Sequence, residues 1–272
     1  MAGRLAGKVA VITGSSRGLG QFCALGYGAE GARVVVAARS EEEKDPRLPG
    51  TIYHTAKLIE EAGGEAFPVV CNVADAESIE AMTKAVLDKY GRIDVLMTNA
   101  AIQPPGGIST MQPRHWELEF KINVHGVFHC IRAALPSMIE AKSGNIINIS
   151  SVAAHRGGGH YGATKRAIES MTIGLADEQR ENGIAVNSLR PVAAIETPGW
   201  MYGRSPETIA ANAPRVSPPD SYVEAAILFA MQTATSCSGE NFTDAEAVKA
   251  LGGQESFARF KAMNPPLWSE GL

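Results

Sequence analysis

The stretch Lys8-Val-Ala-Val-Ile-Thr-Gly-Ser-Ser-Arg-Gly-Leu-Gly20 decides the fold that we expect for this chain. Its first six residues form a short, largely apolar run, which is typical of a strand buried on both faces of a parallel sheet. The glycines that follow permit a tight turn. Residues 18–30 then have the pattern of a helix that ends at Gly31. The stretch therefore predicts a strand, a glycine-rich turn and a helix.

The same alternation of strands and helices continues along the chain. Further strands are predicted at residues 33–38, 66–71, 93–98, 145–149, 184–189 and 241–244, and further helices at residues 51–62, 75–90, 113–141, 161–182 and 220–231. No change of composition marks a linker. We therefore predict one α/β domain over residues 1–272, with a doubly wound, mostly parallel sheet of about seven strands flanked by helices.

Composition excludes several classes of protein. The chain has 272 residues, 45% of them hydrophobic, and a formal net charge of −4, so nothing indicates the basic face of a nucleic-acid-binding protein. The four cysteines lie far apart without a Cys-x-x-Cys pair, which argues against a disulfide framework or a metal site and fits a cytoplasmic protein. No run is long enough to span a membrane, and the N-terminal residues lack the apolar region of a signal peptide, so we expect neither a signal peptide nor membrane association.

The glycine-rich turn predicts a nucleotide site. Gly14, Gly18 and Gly20 follow a strand and open a helix, where backbone N–H groups and the helix dipole can bind a diphosphate. Their spacing, GxxxGxG, differs from the GxGxxG of the standard dinucleotide fingerprint. The main alternative for an isolated pattern of this kind is a plain structural turn.

The end of the second strand favours NADP(H). Sites for NAD commonly have an acid there that bonds the ribose hydroxyls. Here the strand is followed by Arg39 and Ser40, and Arg17 lies inside the glycine turn. A guanidinium is a fork-shaped donor suited to a phosphate. The alternative is that either arginine simply faces solvent.

Residues 150–165 predict a site of proton transfer. Tyr161 and Lys165 are four residues apart, so they share one face of the predicted helix. Ser151 lies ten residues before Tyr161, at the end of a predicted strand. A tyrosine has a pKa of about 10, which a neighbouring ammonium group lowers. Ser150 competes for the serine role; its alternative is an inward-facing structural hydroxyl.

These motifs, together with Asn99-Ala100 and Asn123, resemble the short-chain dehydrogenase/reductase family in order and approximate spacing, over nearly the whole chain. Segments 48–53 and 238–244 are similar to its hydroxysteroid dehydrogenase-like branch. The resemblance implies a single Rossmann-type domain that transfers a hydride between a nicotinamide cofactor and a carbon bearing oxygen. It also implies a homodimer or homotetramer.

The resemblance implies roles for particular residues. Tyr161 gives or removes the proton, Lys165 lowers the pKa of Tyr161 and bonds the nicotinamide ribose, Ser151 donates to the substrate oxygen, and Asn123 holds a water that links Lys165 to solvent. No metal is implied. The cofactor-binding residues implied are Gly14, Ser16, Arg17, Gly18, Leu19, Gly20, Arg39, Ser40, Asn72, Val73, Asn99, Ala100, Ala101, Tyr161, Lys165, Pro191, Ile195 and Thr197.

The sequence departs from the family pattern at several places. Asn72 replaces the usual Asp, Ala101 the usual Gly after Asn-Ala, and Val192 the usual Gly after Pro191. The connection from Ser151 to Tyr161 is shorter than usual, at one wall of the expected substrate pocket. In this connection, His155 and His160 are candidates for contact with an anionic substrate, and exposed polar loop residues are the alternative.

We expect residues 196–218 to form the substrate lid and residues 252–272 a C-terminal tail. Trp200, Met201 and Tyr202 give the lid an apolar surface, which favours a carbonyl compound with a hydrophobic body; packing on the domain or on another subunit is the alternative. The sequence thus predicts an NADP(H)-dependent oxidoreductase acting on a ketone or secondary alcohol. The alternatives are an NAD-dependent alcohol dehydrogenase and a non-catalytic dinucleotide-binding sensor.

Overall fold

The first strand, β1 (Val9–Thr13), is buried along its whole length in the middle of the sheet. It has a parallel neighbour on each side, with Val11 opposite Val35 on one side and opposite Leu96 on the other. Helices cover both faces, so no side chain of β1 reaches water, which explains the apolar run. The computed structural model describes residues 3–202, 204–212 and 216–263.

Seven parallel strands form the main sheet, in the order β3-β2-β1-β4-β5-β6-β9. This confirms the predicted α/β architecture. A second, two-stranded parallel sheet pairs β7 with β8. The strands are β1, β2 (Arg33–Ala38), β3 (Glu65–Val70), β4 (Val95–Thr98), β5 (Gly144–Ile149), β6 (Ile184–Arg190), β7 (Ala194–Ile195), β8 (Val216–Ser217) and β9 (Asn241–Thr243).

Helices pack on both faces of the sheet, in two apolar layers. One layer includes Tyr27, Ile59 and Phe229, and the other includes Met82 and Ile168. The helices are α1 (Gly18–Ala29), α2 (Ile52–Glu61), α3 (Ala76–Tyr90), α4 (Pro113–Phe120), α5 (Gly126–Glu140), α6 (Gly159–Gln179), α7 (Pro198–Met201), α8 (Pro206–Asn212), α9 (Asp220–Ala230), α10 (Asp244–Leu251) and α11 (Gly253–Met263). Within the described residues, no helix is both long and apolar enough to cross a membrane.

The sheet order reverses between β1 and β4. From β1 the chain builds outward through β2 and β3, and it then returns to place β4 on the other side of β1. Such a reversal opens a crevice at the carboxyl ends of the two strands, where open α/β sheets bind ligands. Gly14 and Asn99, the first residues after β1 and β4, lie at this crevice.

The structure differs from the predicted elements in three places. The helical region 113–141 is interrupted by a π-helical turn at Lys121–His125, well before Pro136, which lies inside α5. Helix α6 begins at Gly159, two residues before the predicted start. Two helices, α10 and α11, follow the last strand, so the predicted tail begins as helix. Residues 264–272 of that tail lie outside the described residues.

The predicted lid, residues 196–218, begins directly after β7 and includes β8. β7 and β8 pair in parallel, with Ile195 opposite Ser217. The short helices α7 and α8 lie between these strands. Residues 203 and 213–215 of the lid lie outside the described residues.

Candidate active site

The glycine turn and the end of β4 are packed directly against each other. Gly14 has a φ of 69°, and a Cβ atom there would lie 2.8 Å from the Cα of Ala100. The Asn99 side chain donates to the carbonyl oxygens of Thr13 at 2.8 Å and Gly14 at 3.2 Å. The Thr13 hydroxyl in turn accepts from the N–H groups of Asn99 and Ala100, at 3.0 and 3.1 Å. These bonds set the backbone of the crevice floor.

Arg17 and Arg39 place two guanidinium groups near the end of β2. Arg17 donates to the carbonyl oxygens of Pro49 and Gly50 and to the Ser40 hydroxyl, at 3.0, 2.8 and 3.0 Å. Burial lowers the pKa of Arg17; the Glu43 carboxylate opposes this, and the Arg39 charge lowers it further. Arg39 itself is exposed and makes no hydrogen bond or ion pair within the described residues.

These residues fit a phosphorylated dinucleotide. Helix α1 has no side-chain cap at its N-terminus, so its first N–H groups are available to a diphosphate. Two like charges held near each other are costly alone and are stabilised by an anion. Arg39 is free to bind such an anion, whereas Arg17 also holds the loop 41–50 in place.

The remaining predicted cofactor residues surround the crevice. Asn72 accepts the N–H of Ala74 through its side chain at 3.2 Å and follows β3 together with Val73. Thr197 lies beside the glycine turn, since a Cβ added to Gly18 would lie 3.4 Å from the Thr197 Cβ. The others lie at the glycine turn and the start of α1, after β4, or after β6. They are the buried Ser16 and Ile195, the partly buried Leu19 and Pro191, and the exposed Ala101.

Lys165 and Ser151 both lie at the end of β5. Lys165 is 2% exposed, and its Nζ donates to the carbonyl oxygen of Ile149, the last residue of β5, at 2.7 Å. Its Nζ lies 5.5 Å from the ring centroid of Tyr161. Ser151 follows β5, and its Oγ accepts the N–H of Ala153 at 3.2 Å in a short 3₁₀ turn. The carboxyl end of β5 and the start of α6 thus carry all three predicted groups.

Burial controls the protonation of both Lys165 and Tyr161. It lowers the pKa of the Lys165 ammonium to about 8, and the Glu119 carboxylate opposes this shift. It raises the pKa of the Tyr161 phenol above its usual range, and Glu119 raises it further. Burial and the Glu119 carboxylate therefore outweigh the lowering of the Tyr161 pKa that is expected from Lys165, so the net shift is upward.

Asn123 is fully buried in the π-helical turn and joins three parts of the site. Its Oδ1 accepts the N–H of Ile102 and its Nδ2 donates to the Ile102 carbonyl, both at 2.9 Å. Its Nδ2 also donates to the Thr164 hydroxyl at 3.2 Å. The side chain thus ties the loop after β4 to α6. Both amide hydrogens are used in these bonds, and the role of holding a water stays a prediction.

Ser150 points away from the mouth of the site. Its hydroxyl donates to Oε1 of the buried Glu169 at 2.7 Å. The same carboxylate accepts from Arg166 at 3.1 Å and lies 2.9 Å from His155 Nε2. Ser150 therefore has the inward structural position, whereas Ser151 remains partly exposed at the end of β5.

The two histidines of the short connection have different positions. His155 is on the surface, as the alternative prediction has it, but His160 is 5% exposed. Its Nδ1 lies 2.6 Å from Oε2 of the buried Glu119, and its Nε2 lies 3.0 Å from the Gly106 carbonyl oxygen. The expectation of an exposed loop residue is wrong for His160. Within the described part of the chain, no group of three His, Cys, Asp or Glu side chains could hold a metal ion.

Several supporting residues were missed by the sequence analysis. Asp244 is 1% exposed, and its Oδ1 accepts the N–H of Val192 at 2.6 Å, which holds the loop after β6. Thr13, Glu119 and Glu169 also act on predicted site residues. Only Asp244 had a local signal: Thr243 and Glu246 form a capping box, which predicts a helix beginning at this point.

The comparison with known proteins agrees with this geometry. The profile of the family described as short chain dehydrogenase matches residues 8–207. The chain belongs to the short-chain dehydrogenase family. It is therefore an oxidoreductase by family, and the family predicted from the motifs is confirmed.

Proteins similar to this short-chain dehydrogenase include the two curated proteins and the solved structure that follow. The 3-oxoacyl-(acyl-carrier-protein) reductase FabG of Staphylococcus aureus is 36% identical over 187 residues, 68% of this chain and 73% of that protein. The hydroxysteroid dehydrogenase-like protein 2 of Danio rerio is 36% identical over 201 residues, 72% of this chain but 48% of that longer protein. A metagenomic short-chain oxidoreductase crystallised with NADP has a TM-score of 0.72 and 33% identity, covering 87% of this chain and 96% of its own.

Proposed function

We propose that this short-chain dehydrogenase reduces the carbonyl group of a ketone with NADPH, and that Tyr161 donates the proton. The observation that carries the proposal is the position of Tyr161 at the start of α6, with Lys165 Nζ 5.5 Å from its ring centroid and Ser151 directly after β5. When bound, the nicotinamide supplies the hydride. The chain itself positions the ketone, supplies the proton and stabilises the charge on the oxygen.

Each proposed role uses an observed position. Ser151 lies at the end of β5, where a hydroxyl can donate to the developing alkoxide. Tyr161 transfers its proton to that oxygen. The Lys165 ammonium, with a pKa of about 8, keeps most of its positive charge at neutral pH and favours the resulting phenolate. Asn123 fixes the loop after β4 and the start of α6 relative to each other.

The preference for NADP(H) is supported by Arg17 and Arg39 and by the position after β2, which has no acid. The solved relative described above was crystallised with NADP. NAD as the cofactor remains the alternative. The remaining contacts predicted for the cofactor, from Gly14 to Thr197, are part of the same proposal.

For the substrate we propose a ketone or secondary alcohol with an apolar body. Trp200 and Met201 are partly buried in the lid, and Tyr202 is exposed, with Arg47 stacked 4.8 Å from its ring centroid. The lid thus offers apolar surface close to Thr197 and the glycine turn. Assembly into a homodimer or homotetramer stays a prediction; Phe128 on α5 and Ile173 on α6 are exposed apolar side chains that such an interface would cover.

A screen of NADPH oxidation tests the proposal. The panel contains a 3-oxoacyl thioester, a steroid ketone, a keto sugar and an aromatic ketone, and nicotinamide absorbance is the readout. The Tyr161→Phe variant should lose turnover by about a hundredfold or more and still bind NADPH, because a positioned general acid contributes on that order. Tyr53→Phe, at an exposed tyrosine, is the matched control. Unchanged turnover in Tyr161→Phe would exclude Tyr161 as the donor, and NADPH binding without oxidation by any ketone would favour the sensor alternative.

A further inference from the structure

Glu119 and His160 form a buried pair beside the proposed proton donor. Glu119 lies on α4 and is completely buried, and His160 directly precedes Tyr161 on α6. Their Oε2 and Nδ1 atoms are 2.6 Å apart. The second oxygen of Glu119, Oε1, has no hydrogen-bond partner although it is buried. A buried carboxyl with one unpaired oxygen lowers the stability of the folded protein, so a gain in stability does not explain this pair.

The pair joins three segments. His160 Nε2 is close to the Gly106 carbonyl at 3.0 Å, so this nitrogen carries its proton and donates to the loop after β4. Nδ1 and Oε2 share a further proton, which lies on the histidine in the ionised pair and on the carboxyl in the neutral pair. In both forms, α4, the loop after β4 and the first turn of α6 are held together.

The short connection before His160 is closely packed against the start of α6. A Cβ atom on Gly162 would lie inside contact distance of the Ala153 carbonyl oxygen, so α6 sits directly against the 3₁₀ turn that follows Ser151. Gly157 and Gly159 have φ values of 66° and 57°. His155 is bonded to Glu169 of α6, and His160 bonds the end of this connection to α4 and to the loop after β4.

We propose that Glu119 and His160 are positioning residues, which together hold the Tyr161 hydroxyl in place for proton donation. This inference rests on the role proposed above for Tyr161. Glu119 also acts on the charges of the site. Burial raises the pKa of the Glu119 carboxyl, and His160 and the Lys165 charge oppose this shift; the carboxylate in turn raises the pKa values of both Lys165 and Tyr161.

Two variants separate charge from geometry. Glu119→Gln removes the charge but keeps the contact, because the amide can donate to a neutral His160. The double variant Glu119→Leu/His160→Leu removes both, and apolar replacement of a buried pair usually leaves a protein folded. Glu117→Gln is the matched control, since Glu117 is an exposed carboxylate on the same helix.

The first readout does not depend on turnover. With tyrosine labelled at Cζ, NMR follows the titration of Tyr161, which is assigned by its loss in Tyr161→Phe. We expect Glu119→Gln to lower the pKa of Tyr161 and Glu117→Gln to leave it unchanged. Equal titration in these two variants would overturn the inference. Because no substrate is needed, this result stands even if no ketone is reduced and the proposed function fails.

The second readout is steady-state reduction of a ketone by NADPH across pH. The double variant should lose about ten- to a hundredfold in kcat, with the KM for NADPH within twofold of wild type, because small displacements of a reacting group cost rates of this order. Glu119→Gln should shift the pH profile in the same direction as the titration. A folded double variant with wild-type kcat and pH profile would show that the pair is only structural.

Discussion

Replacing Arg39 with alanine should weaken NADPH binding selectively. Arg39 is exposed and makes no hydrogen bond or ion pair within the described residues, so its loss should leave the fold intact. A hydrogen bond between charged groups contributes about 1.5–3 kcal/mol. Solvent around Arg39 favours the lower end of this range. We therefore expect about 1.5 kcal/mol, which is about tenfold in the Kd of NADPH.

Arg17→Ala should have a larger and different effect. Its three bonds to Pro49, Gly50 and Ser40 hold the loop beside the glycine turn. Loss of these bonds should weaken the binding of NADH as well as NADPH, and should lower the melting temperature. The ratio of the NADPH and NADH affinities thus distinguishes an arginine that contacts the phosphate from one that holds the loop in place.

The assay is fluorescence titration of the purified protein with NADPH and NADH. Wild type, Arg39→Ala and Arg17→Ala are compared with Arg114→Ala, which removes an exposed arginine from α4. Binding of NADH to Arg39→Ala should match wild type within twofold. If Arg39→Ala weakens both cofactors equally, or neither, then Arg39 does not bind the additional phosphate and the preference for NADP(H) loses its main support.

Three further variants test stability. The folded pKa of Lys165, about 8, lies below its unfolded value of 10.5. Its charge therefore lowers the stability of the fold below pH 8, and this cost becomes smaller as pH rises. The free energy of unfolding of Lys165→Met, measured by chemical denaturation at pH 7, should be higher than that of wild type by roughly 2 kcal/mol, and the variant should lose turnover. The folded pKa of Asp244 is raised from 3.8 to about 6, so its contribution to wild-type stability falls as pH rises between these values. Asp244→Asn can still accept the N–H of Val192. This variant should be more stable than wild type above pH 6 by up to roughly 3 kcal/mol, with no gain below pH 4. Gly162→Ala should lower stability by about 1–3 kcal/mol, because its Cβ meets the Ala153 carbonyl. An unchanged unfolding curve in any of the three would contradict the corresponding reasoning.

The fold was predictable because its signals are local. Strands buried on both faces must be apolar, and capping residues such as Asp75 and Gly91 mark the ends of α3. The π-helical turn at Lys121–His125 was not predictable from periodicity. It depends on Asn123 bonding to Ile102, a contact across 21 residues. Helix α10 had a usable signal in its capping box, Thr243 to Glu246.

The candidate site was predictable as a set of residues but not as a set of charges. Tyr161 and Lys165 were placed correctly on one helix face by their spacing. Their protonation depends on Glu119, which no pattern connects to them, since it lies 42 residues before Tyr161 in the sequence. The burial of His160 likewise depends on this distant carboxylate, so the sequence predicted an exposed residue.

The sheet order also has a consequence for synthesis of the chain on the ribosome. One neighbour of β1, β2, is complete at residue 38 of the chain, but the neighbour on its other edge, β4, is complete only at Thr98. Until then the nascent chain carries an apolar strand edge with unpaired backbone groups, a surface that invites association with other chains. Closure of that edge brings Asn99 against Gly14 and completes the crevice floor. The step that ends the exposure of the nascent strand is thus the step that first creates the nucleotide site.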